Sequence, residues 1–313
     1  MQLPPDLTNA IARLLDGVSR KDLAAVSARM SAGYRRGTTS QAIATERDAL
    51  AYACARMPAT YAVCAAVFAR IGEVMADFAP ASLLDVGAGT GAASWAAIGQ
   101  WTDMTSITML DRNPALRALA RKLADAGALA GAEILAGDLA NAKPKADLVV
   151  ASYVLAELPA DRADVVAADL WQSADVALVL IEPGTPEGFA RIRAARKALI
   201  AAGAHAAAPC THDRACPLVG EDWCHFSQRL PRSRDHMLLK GANVPFEDER
   251  YSYIVVTREK VSSGVRILAP PQETKLGRTF KLCDESGLRA QFVASRDKDE
   301  YRRVRKRGWG DLL

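Results

Sequence analysis

The sequence has no apolar run long enough to cross a membrane, and it does not begin like a targeting segment. A membrane-spanning helix needs roughly 18 consecutive apolar residues, and no such run occurs in the 313-residue sequence. Residues 1–22 lack the basic-then-apolar order of a secretory signal and are more acidic than a transit peptide. From these absences we expect a protein that spans no membrane and is located in the cytoplasm of a bacterium.

Disulfide bonds are not expected either, because a reducing compartment keeps thiols free. Of the six cysteines, Cys54 and Cys64 lie in an alanine-rich helical pattern that is typical of small buried residues. Half of the sequence is hydrophobic, which supports a core in a protein of about two domains. The four other cysteines therefore need another explanation.

Positive charge is grouped in four places, although the formal net charge is only +4. Each group alone is explained by a solvated helix face. Their recurrence favours a phosphate-rich partner such as RNA. The four groups are Arg29, Arg35 and Arg36; Arg191, Arg193, Arg196 and Lys197; Arg229, Arg232 and Arg234; and Arg302, Arg303, Arg305, Lys306 and Arg307.

Hydrophobic periodicity divides the chain into four regions. Residues 1–78 have apolar residues at helical spacing, and Pro58 is expected to kink or split the last helical stretch. Over residues 79–204, short apolar runs alternate with helical patterns, which predicts an α/β fold with a parallel, Rossmann-like sheet. Residues 205–245 are polar and contain three cysteines and all four histidines, so we predict a Cys-rich insert ordered by a metal. Residues 246–313 have the pattern of short strands followed by a basic tail.

A glycine-rich loop, LLDVGAGTG at 83–91, lies between a predicted strand and a predicted helix. Glycines let the backbone turn tightly there and approach a ligand closely. The order D-x-G-x-G-x-G differs from the G-x-G-x-x-G of dinucleotide sites and resembles motif I of the class I S-adenosylmethionine-dependent methyltransferases. That resemblance implies that the loop faces the amino-acid part of the cofactor, and the residues concerned are Asp85, Gly87, Gly89 and Gly91.

The same resemblance gives roles to two acidic residues. In that class an acidic residue at the end of the second strand holds the ribose hydroxyls, and Asp111 stands at that point. An acidic residue after the third strand often contacts the adenine amino group, and Asp138 matches that position. The alternative for both residues is helix capping or turn formation.

No catalytic base is assigned from the sequence. The segment after the fourth strand, 152–155, lacks the prolines of the (N/D/S)-P-P-(Y/F/W) tetrad found in many amino-methylating enzymes of nucleic acids. Neither that segment nor IEPGTP supplies a nucleophilic cysteine, which disfavours a covalent C5 mechanism. Tyr153, Glu157 and Glu182 lie near the expected pocket, where each has an equally good structural explanation.

Three cysteines follow the pattern C-x5-C-x7-C, and a fourth follows after 58 intervening residues. Structural zinc usually uses close C-x2–4-C pairs, and none occurs here. Longer loops suit an iron–sulfur cluster better, although His212 or His225 could complete a zinc site. The candidate ligands are Cys210, Cys216, Cys224 and Cys283, and the last also fits a buried strand position.

Together, several segments resemble the mitochondrial small-ribosomal-subunit methyltransferase-like assembly factors and their bacterial relatives. The matching segments are RMPATYA at 56–62, LLDVGAGTG at 83–91, IEPGTPEGF at 181–189, PCTHDRACPLVGEDWCHF at 209–226 and KGANVPFEDERYSYIVV at 240–256. The resemblance implies a [4Fe–4S] cluster on the four cysteines, an S-adenosylmethionine pocket at the glycine loop, and association with rRNA of the small ribosomal subunit.

Three functions remain open at this point. The first is an rRNA methyltransferase, and the second is a non-catalytic rRNA-binding assembly factor with a structural metal site. The third is a methyltransferase for a protein or a small molecule. Away from the ribosome we expect a monomer.

Overall fold

Four α-helices precede the first strand in the computed structural model, which describes residues 1–34, 39–137, 144–261 and 264–313. The capping box between Thr45 and Asp48 starts the third helix. Pro58 lies in the first turn of the fourth, which bends away from the third by 50°. The predicted interruption at Pro58 is thus confirmed. The helices are α1 (Pro5–Leu14), α2 (Arg20–Tyr34), α3 (Glu46–Ala55) and α4 (Met57–Val74).

The next part of the chain builds the main sheet, in which helices alternate with parallel strands. The elements are β1 (Ser82–Val86), α5 (Ala92–Gln100), β2 (Ser106–Asp111), α6 (Pro114–Ala124), β3 (Glu133–Ala136), β4 (Ala146–Ser152), α7 (Ala163–Ser173), β5 (Ala174–Pro183), α8 (Pro186–Ala201), β6 (His205–Ala208), β7 (Phe226–Pro231), α9 (Arg234–Lys240) and β8 (Phe246–Thr257). The strand order is β3-β2-β1-β4-β5-β8-β6, and β7 also pairs with β8. Strands β1 to β5 are parallel, so the predicted Rossmann-like methyltransferase sheet is confirmed.

Two cores cover the faces of this sheet because successive side chains of a strand point to opposite sides. On β4, Leu148 and Val150 pack with the N-terminal helices, whereas Val149 and Ala151 pack with α7 and α8. All four side chains are buried to at least 99%. The helical N-terminal region is therefore one wall of the same core.

The segment predicted as a Cys-rich insert contributes regular structure to the main sheet. Strands β6 and β7 both pair with the antiparallel strand β8, and α9 contacts α2 and α3. Leu230 and Leu239 supply apolar side chains that the sequence pattern did not reveal. The irregular part of the segment is residues 209–225, which carries three cysteines.

Strand β8 extends past the end of its neighbour β5. The two strands pair from Ala177 opposite Thr257 to Pro183 opposite Tyr251. Residues 246–250 lie beyond this pairing and bond to β7 instead. A two-stranded ribbon therefore projects past the carboxyl edge of the parallel strands.

A small antiparallel sheet follows, as predicted for the C-terminal region. It consists of β9 (Arg266–Ile267), β10 (Gln272–Thr274), β11 (Gly277–Asp284) and β12 (Gly287–Ala294), and α10 (Lys298–Val304) packs against it. Phe280, Leu282 and Val293 are in its core, and the neighbouring Cys283 packs instead with the main core.

Within the described ranges, no single helix is long and apolar enough to cross a membrane. The bent pair α3 and α4 meets the criteria of length and composition only when the two helices are taken together.

Candidate cofactor cavity and cysteine centre

The glycine loop after β1 adopts a backbone that other residues rarely adopt. Gly87, Gly89 and Gly91 have φ angles of 69°, 58° and 86°, in the left-handed region that favours glycine. A Cβ on Gly87 would lie 2.4 Å from Val154, and one on Gly91 would lie 2.9 Å from the Met109 sulfur. A Cβ on Gly89 would meet no atom within 4 Å, because this residue faces open space.

That space is a cavity of about 290 Å3 at the carboxyl ends of β1, β2 and β4. Ligands of parallel α/β sheets bind at this edge. Of the residues predicted from the sequence, Gly87, Gly89 and Asp111 line the cavity. Asp138 lies outside the described residues.

Asp111 is fixed in the cavity wall by two backbone groups. Its Oδ2 accepts a hydrogen bond from Gly89 N at 2.7 Å, and its Oδ1 accepts one from Asn113 N at 2.7 Å. Burial raises the pKa of Asp111, although these bonds and nearby arginines oppose the rise. Each carboxylate oxygen keeps a second lone pair, so the group can still accept from a ligand hydroxyl.

Asp85 and Gly91 instead support the loop from behind. The Asp85 Oδ2 accepts hydrogen bonds from Ser94 N at 3.1 Å and Ser94 Oγ at 2.8 Å, which ties β1 to α5. Burial raises the pKa of Asp85 to about 6. Gly91 is the N-cap of α5. Both residues shape the cavity without lining it.

A polar segment before α3 closes one side of the cavity. Glu157 accepts hydrogen bonds from Ser40 N at 2.9 Å and Ser40 Oγ at 2.8 Å, and it pairs with Arg112 at 3.2 Å. Asn113 Nδ2 donates to the carbonyls of Ser40 and Ile43. Sequence reasoning missed Ser40 and Arg112, because an irregular polar segment gives no periodic signal.

The turn after β4 is held by a buried acid. Leu155 N donates to Glu182 Oε1 at 2.8 Å, and Tyr153 N donates to the Ile181 carbonyl at 2.7 Å. Glu182 is fully buried, and burial raises its pKa to about 8. Glu182 therefore positions the turn, and Tyr153 at φ 61° is one of the turn residues that line the cavity.

The four predicted ligand cysteines line a single second cavity of about 30 Å3. Three of them lie in the 209–225 loop, and Cys283 lies on β11, which follows later in the sequence. Arg196 Nε donates to Cys210 Sγ at 3.2 Å, and His212 Nε2 lies 3.7 Å from Cys283 Sγ. Cys54 and Cys64 are buried in α3 and α4, outside this cavity. The four cysteines thus share one cavity lining, and their role as metal ligands stays a prediction.

Burial raises the pKa of the Cys210, Cys224 and Cys283 thiols, that of Cys283 to about 12. The neighbouring cysteines add to the rise for Cys224 and Cys283, because thiolates repel each other. Within the part of the chain that the structure describes, no three His, Cys, Asp or Glu side chains form a group that could hold a metal ion. The four cysteines therefore line one cavity, but their side chains are not arranged as a coordination sphere.

The cysteine loop is also anchored to the main sheet. Trp223 Nε1 donates to the Gly184 carbonyl at 3.1 Å, just after β5. Ser252 Oγ on β8 donates to the Cys224 carbonyl at 2.8 Å. His225 stacks on Trp223 with ring centroids 4.9 Å apart and does not line the cysteine cavity.

The basic groups are only partly available to a partner. Arg229 pairs with Asp248 at 2.7 Å, and Arg232 pairs with Glu247 at 3.3 Å, so these two cations serve internal contacts. Arg35 and Arg36 lie outside the described residues. The C-terminal group begins in α10, where Arg302 is 73% exposed.

The parallel sheet, the glycine loop and Asp111 define the chain as a class I methyltransferase-like protein. The sequence pattern of the family described as "Mitochondrial small ribosomal subunit Rsm22" matches residues 46–313, and the chain belongs to that family. The resemblance to small-subunit assembly factors is thereby confirmed.

Relatives agree with this membership. The chain is 31% identical to the human "Ribosome assembly protein METTL17, mitochondrial" over 294 residues, covering 86% of this chain and 63% of that protein. It is 28% identical to the "Rsm22-cox11 tandem protein 2, mitochondrial" of Schizosaccharomyces pombe over 353 residues, covering 94% of this chain and 46% of that protein. The chain thus spans less than two thirds of the length of these curated relatives.

Among solved structures, the magnesium protoporphyrin IX methyltransferase ChlM from Synechocystis PCC 6803 with bound S-adenosylmethionine is similar. The TM-score is 0.43 and the identity 17%, over 82% of this chain and 98% of that chain.

Proposed function

We propose that this protein binds S-adenosylmethionine and acts on the small ribosomal subunit, by methylating its rRNA, by assisting its assembly, or by both. The observation that carries the cofactor is the cavity beside the glycine loop. Gly89 leaves open the space next to the backbone, and Asp111 presents an anchored carboxylate to that space. A carboxylate that accepts two hydrogen bonds suits a ribose diol.

Calorimetric titration with S-adenosylhomocysteine tests the cofactor proposal. The wild type is expected to bind, and Asp111→Asn is expected to bind about tenfold or more weakly, because a charge-assisted hydrogen bond is lost. The exposed Asp103 on the loop before β2 provides the control Asp103→Asn, which is expected to bind like the wild type. Absence of binding by the wild type would contradict the proposal.

The second part of the proposal is a metal centre on Cys210, Cys216, Cys224 and Cys283, with a [4Fe–4S] cluster favoured over zinc. Four thiols in one buried cavity are a donor set that suits either group. Burial raises the pKa of Cys210, Cys224 and Cys283 by more than the nearby cations lower it, and a bound metal would stabilise the thiolates. Such a centre would tie the 209–225 loop to β11.

Iron, sulfide and zinc analysis of protein purified without oxygen tests this centre. The wild type is expected to contain iron and sulfide, and Cys216→Ser is expected to lose most of both. The buried Cys54 gives the matched control Cys54→Ser, which is expected to retain the metal content of the wild type. One equivalent of zinc without iron would refute the cluster, and metal-free protein would refute the centre.

The third part concerns the ribosome and the choice between catalysis and assembly. Membership of the family supports small-subunit rRNA as the partner, and the missing proline tetrad at 152–155 favours the assembly role. Methyl transfer to immature small-subunit particles distinguishes the two roles. Labelling by wild type that is lost in Asp111→Asn would support catalysis. Binding to the particles without labelling would support the assembly factor.

A further inference from the structure

One end of the cofactor cavity has charged groups nearby that take no part in the proposed contact between Asp111 and the ribose. Arg56 and Tyr153 line this end, and the Tyr153 hydroxyl donates to Glu249 Oε1 at 3.4 Å. Arg56 acts on both groups, since its positive charge opposes the burial-driven rise in the pKa of Tyr153 and of Glu249. A cation and a phenol therefore line the cavity, and the Glu249 carboxylate lies directly behind the phenol, within reach of its hydroxyl.

Topology places this charged end away from Asp111. Asp111 ends β2 and Tyr153 follows β4, and β1 lies between these two strands. A ligand whose ribose contacts Asp111 and whose chain passes over Gly89 on the β1 loop would point its far end toward Tyr153.

Three separate parts of the chain build the charged end. Arg56 joins α3 to α4, Tyr153 follows β4, and Glu249 lies on the ribbon of β8 that projects past β5. Among the described residues, Tyr153 is the one non-glycine residue with a positive φ. Strained backbone of this kind persists where the surrounding structure enforces it, and it concentrates at ligand sites.

The chemistry of the cofactor matches these charges. Beyond its nucleoside, S-adenosylmethionine ends in an α-amino acid with one carboxylate and one ammonium group. A guanidinium binds a carboxylate in a two-pronged geometry, and a carboxylate beside a phenol oxygen accepts hydrogen bonds from an ammonium group.

We propose that Arg56 binds the α-carboxylate of the cofactor and that Glu249, held by Tyr153, binds its α-ammonium group. This inference rests on the proposed cofactor function and adds to it the residues that select a cofactor with an intact amino-acid tail.

Paired titrations with S-adenosylhomocysteine and methylthioadenosine test the inference, because the second ligand has the nucleoside but no amino-acid tail. Arg56→Leu and Glu249→Gln are each expected to weaken S-adenosylhomocysteine binding about tenfold or more. Both variants are expected to bind methylthioadenosine within about twofold of the wild type, and that binding also reports an intact cavity. Arg56→Lys is expected to recover part of the loss.

Arg112 lines the cavity beside Asp111 and provides the control at the other end. Arg112→Gln is expected to change the affinities for the two ligands by the same factor. Equal losses for both ligands in Arg56→Leu and Glu249→Gln, or no loss, would overturn the inference while leaving the cofactor site intact. A wild type that binds methylthioadenosine as tightly as S-adenosylhomocysteine would overturn it too. A wild type that binds neither ligand would refute the cofactor proposal itself.

Discussion

Replacing Glu182 by glutamine should remove a large part of the pH dependence of folding. Glu182 is fully buried, and burial raises its pKa from 4.5 to about 8. Arg191 lowers this pKa and Glu157 raises it, both by less than burial does. Between the two pKa values the folded protein keeps a proton that the unfolded chain releases. The stability that Glu182 contributes is therefore fully present below its unfolded pKa and is lost as the pH rises toward its folded pKa.

The magnitude follows from linkage. Each pH unit in this window costs about 1.4 kcal/mol, and the window spans roughly three to four units. The wild type is thus expected to lose on the order of 5 kcal/mol of unfolding free energy through this group between about pH 5 and about pH 9.

Urea unfolding over this pH range measures the effect. In Glu182→Gln the amide oxygen can still accept the hydrogen bond from Leu155 N, so the fold is expected to persist with a much flatter pH profile. The exposed Glu187 in the first turn of α8 supplies the control, and Glu187→Gln should retain the wild-type slope in this range. A Glu182→Gln profile that parallels the wild type would refute the reasoning.

Two further predictions concern a glycine and an ion-pair hub. Gly89→Ala and Gly241→Ala should each lose about 1–2 kcal/mol of stability, since both glycines have φ 58°. Only Gly89→Ala should lose binding of S-adenosylhomocysteine in titrations. Equal binding by the two variants would contradict the close approach of the ligand to Gly89. Burial opposes ionisation of Glu247, yet hydrogen bonds from His236 and Lys240 outweigh it and lower its pKa to about 2. The stability that ionised Glu247 contributes is present above pH 4.5 and is lost as the pH falls toward 2. Glu247→Gln should therefore lower the unfolding free energy at neutral pH by about 3 kcal/mol. Acid unfolding curves that coincide for variant and wild type would exclude this.

Local patterns in the sequence predicted the elements that depend on local physics. The strand ending at Asp111 and the tight glycine turn at 87–91 follow from hydrophobic periodicity and from the steric freedom of glycine. The break at Pro58 follows from its missing amide hydrogen. These features needed no knowledge of distant parts of the chain.

The remaining parts of the site depend on contacts between distant segments. Tyr153 and Glu249 form a hydrogen bond although they lie 96 residues apart in the sequence, and Ser40 and Glu157 do so at a separation of 117 residues. Hydrophobic periodicity carries no information about contacts between such distant residues. The segment 205–245 shows the same limit, because its strands β6 and β7 become visible only once β8 offers edges on which they can pair.

The hydrogen bond from Trp223 to Gly184 links the segments that line the two cavities. Pro183, directly before Gly184, lines the cavity beside the glycine loop, and Trp223 directly precedes Cys224. A Cβ at Gly184 would lie 2.6 Å from Tyr251 N, so the backbone at Gly184 packs closely against β8. A ligand that displaced Pro183 would therefore also shift the segment that carries Cys224, and thermodynamic reciprocity would make any resulting change in affinity equal in both directions.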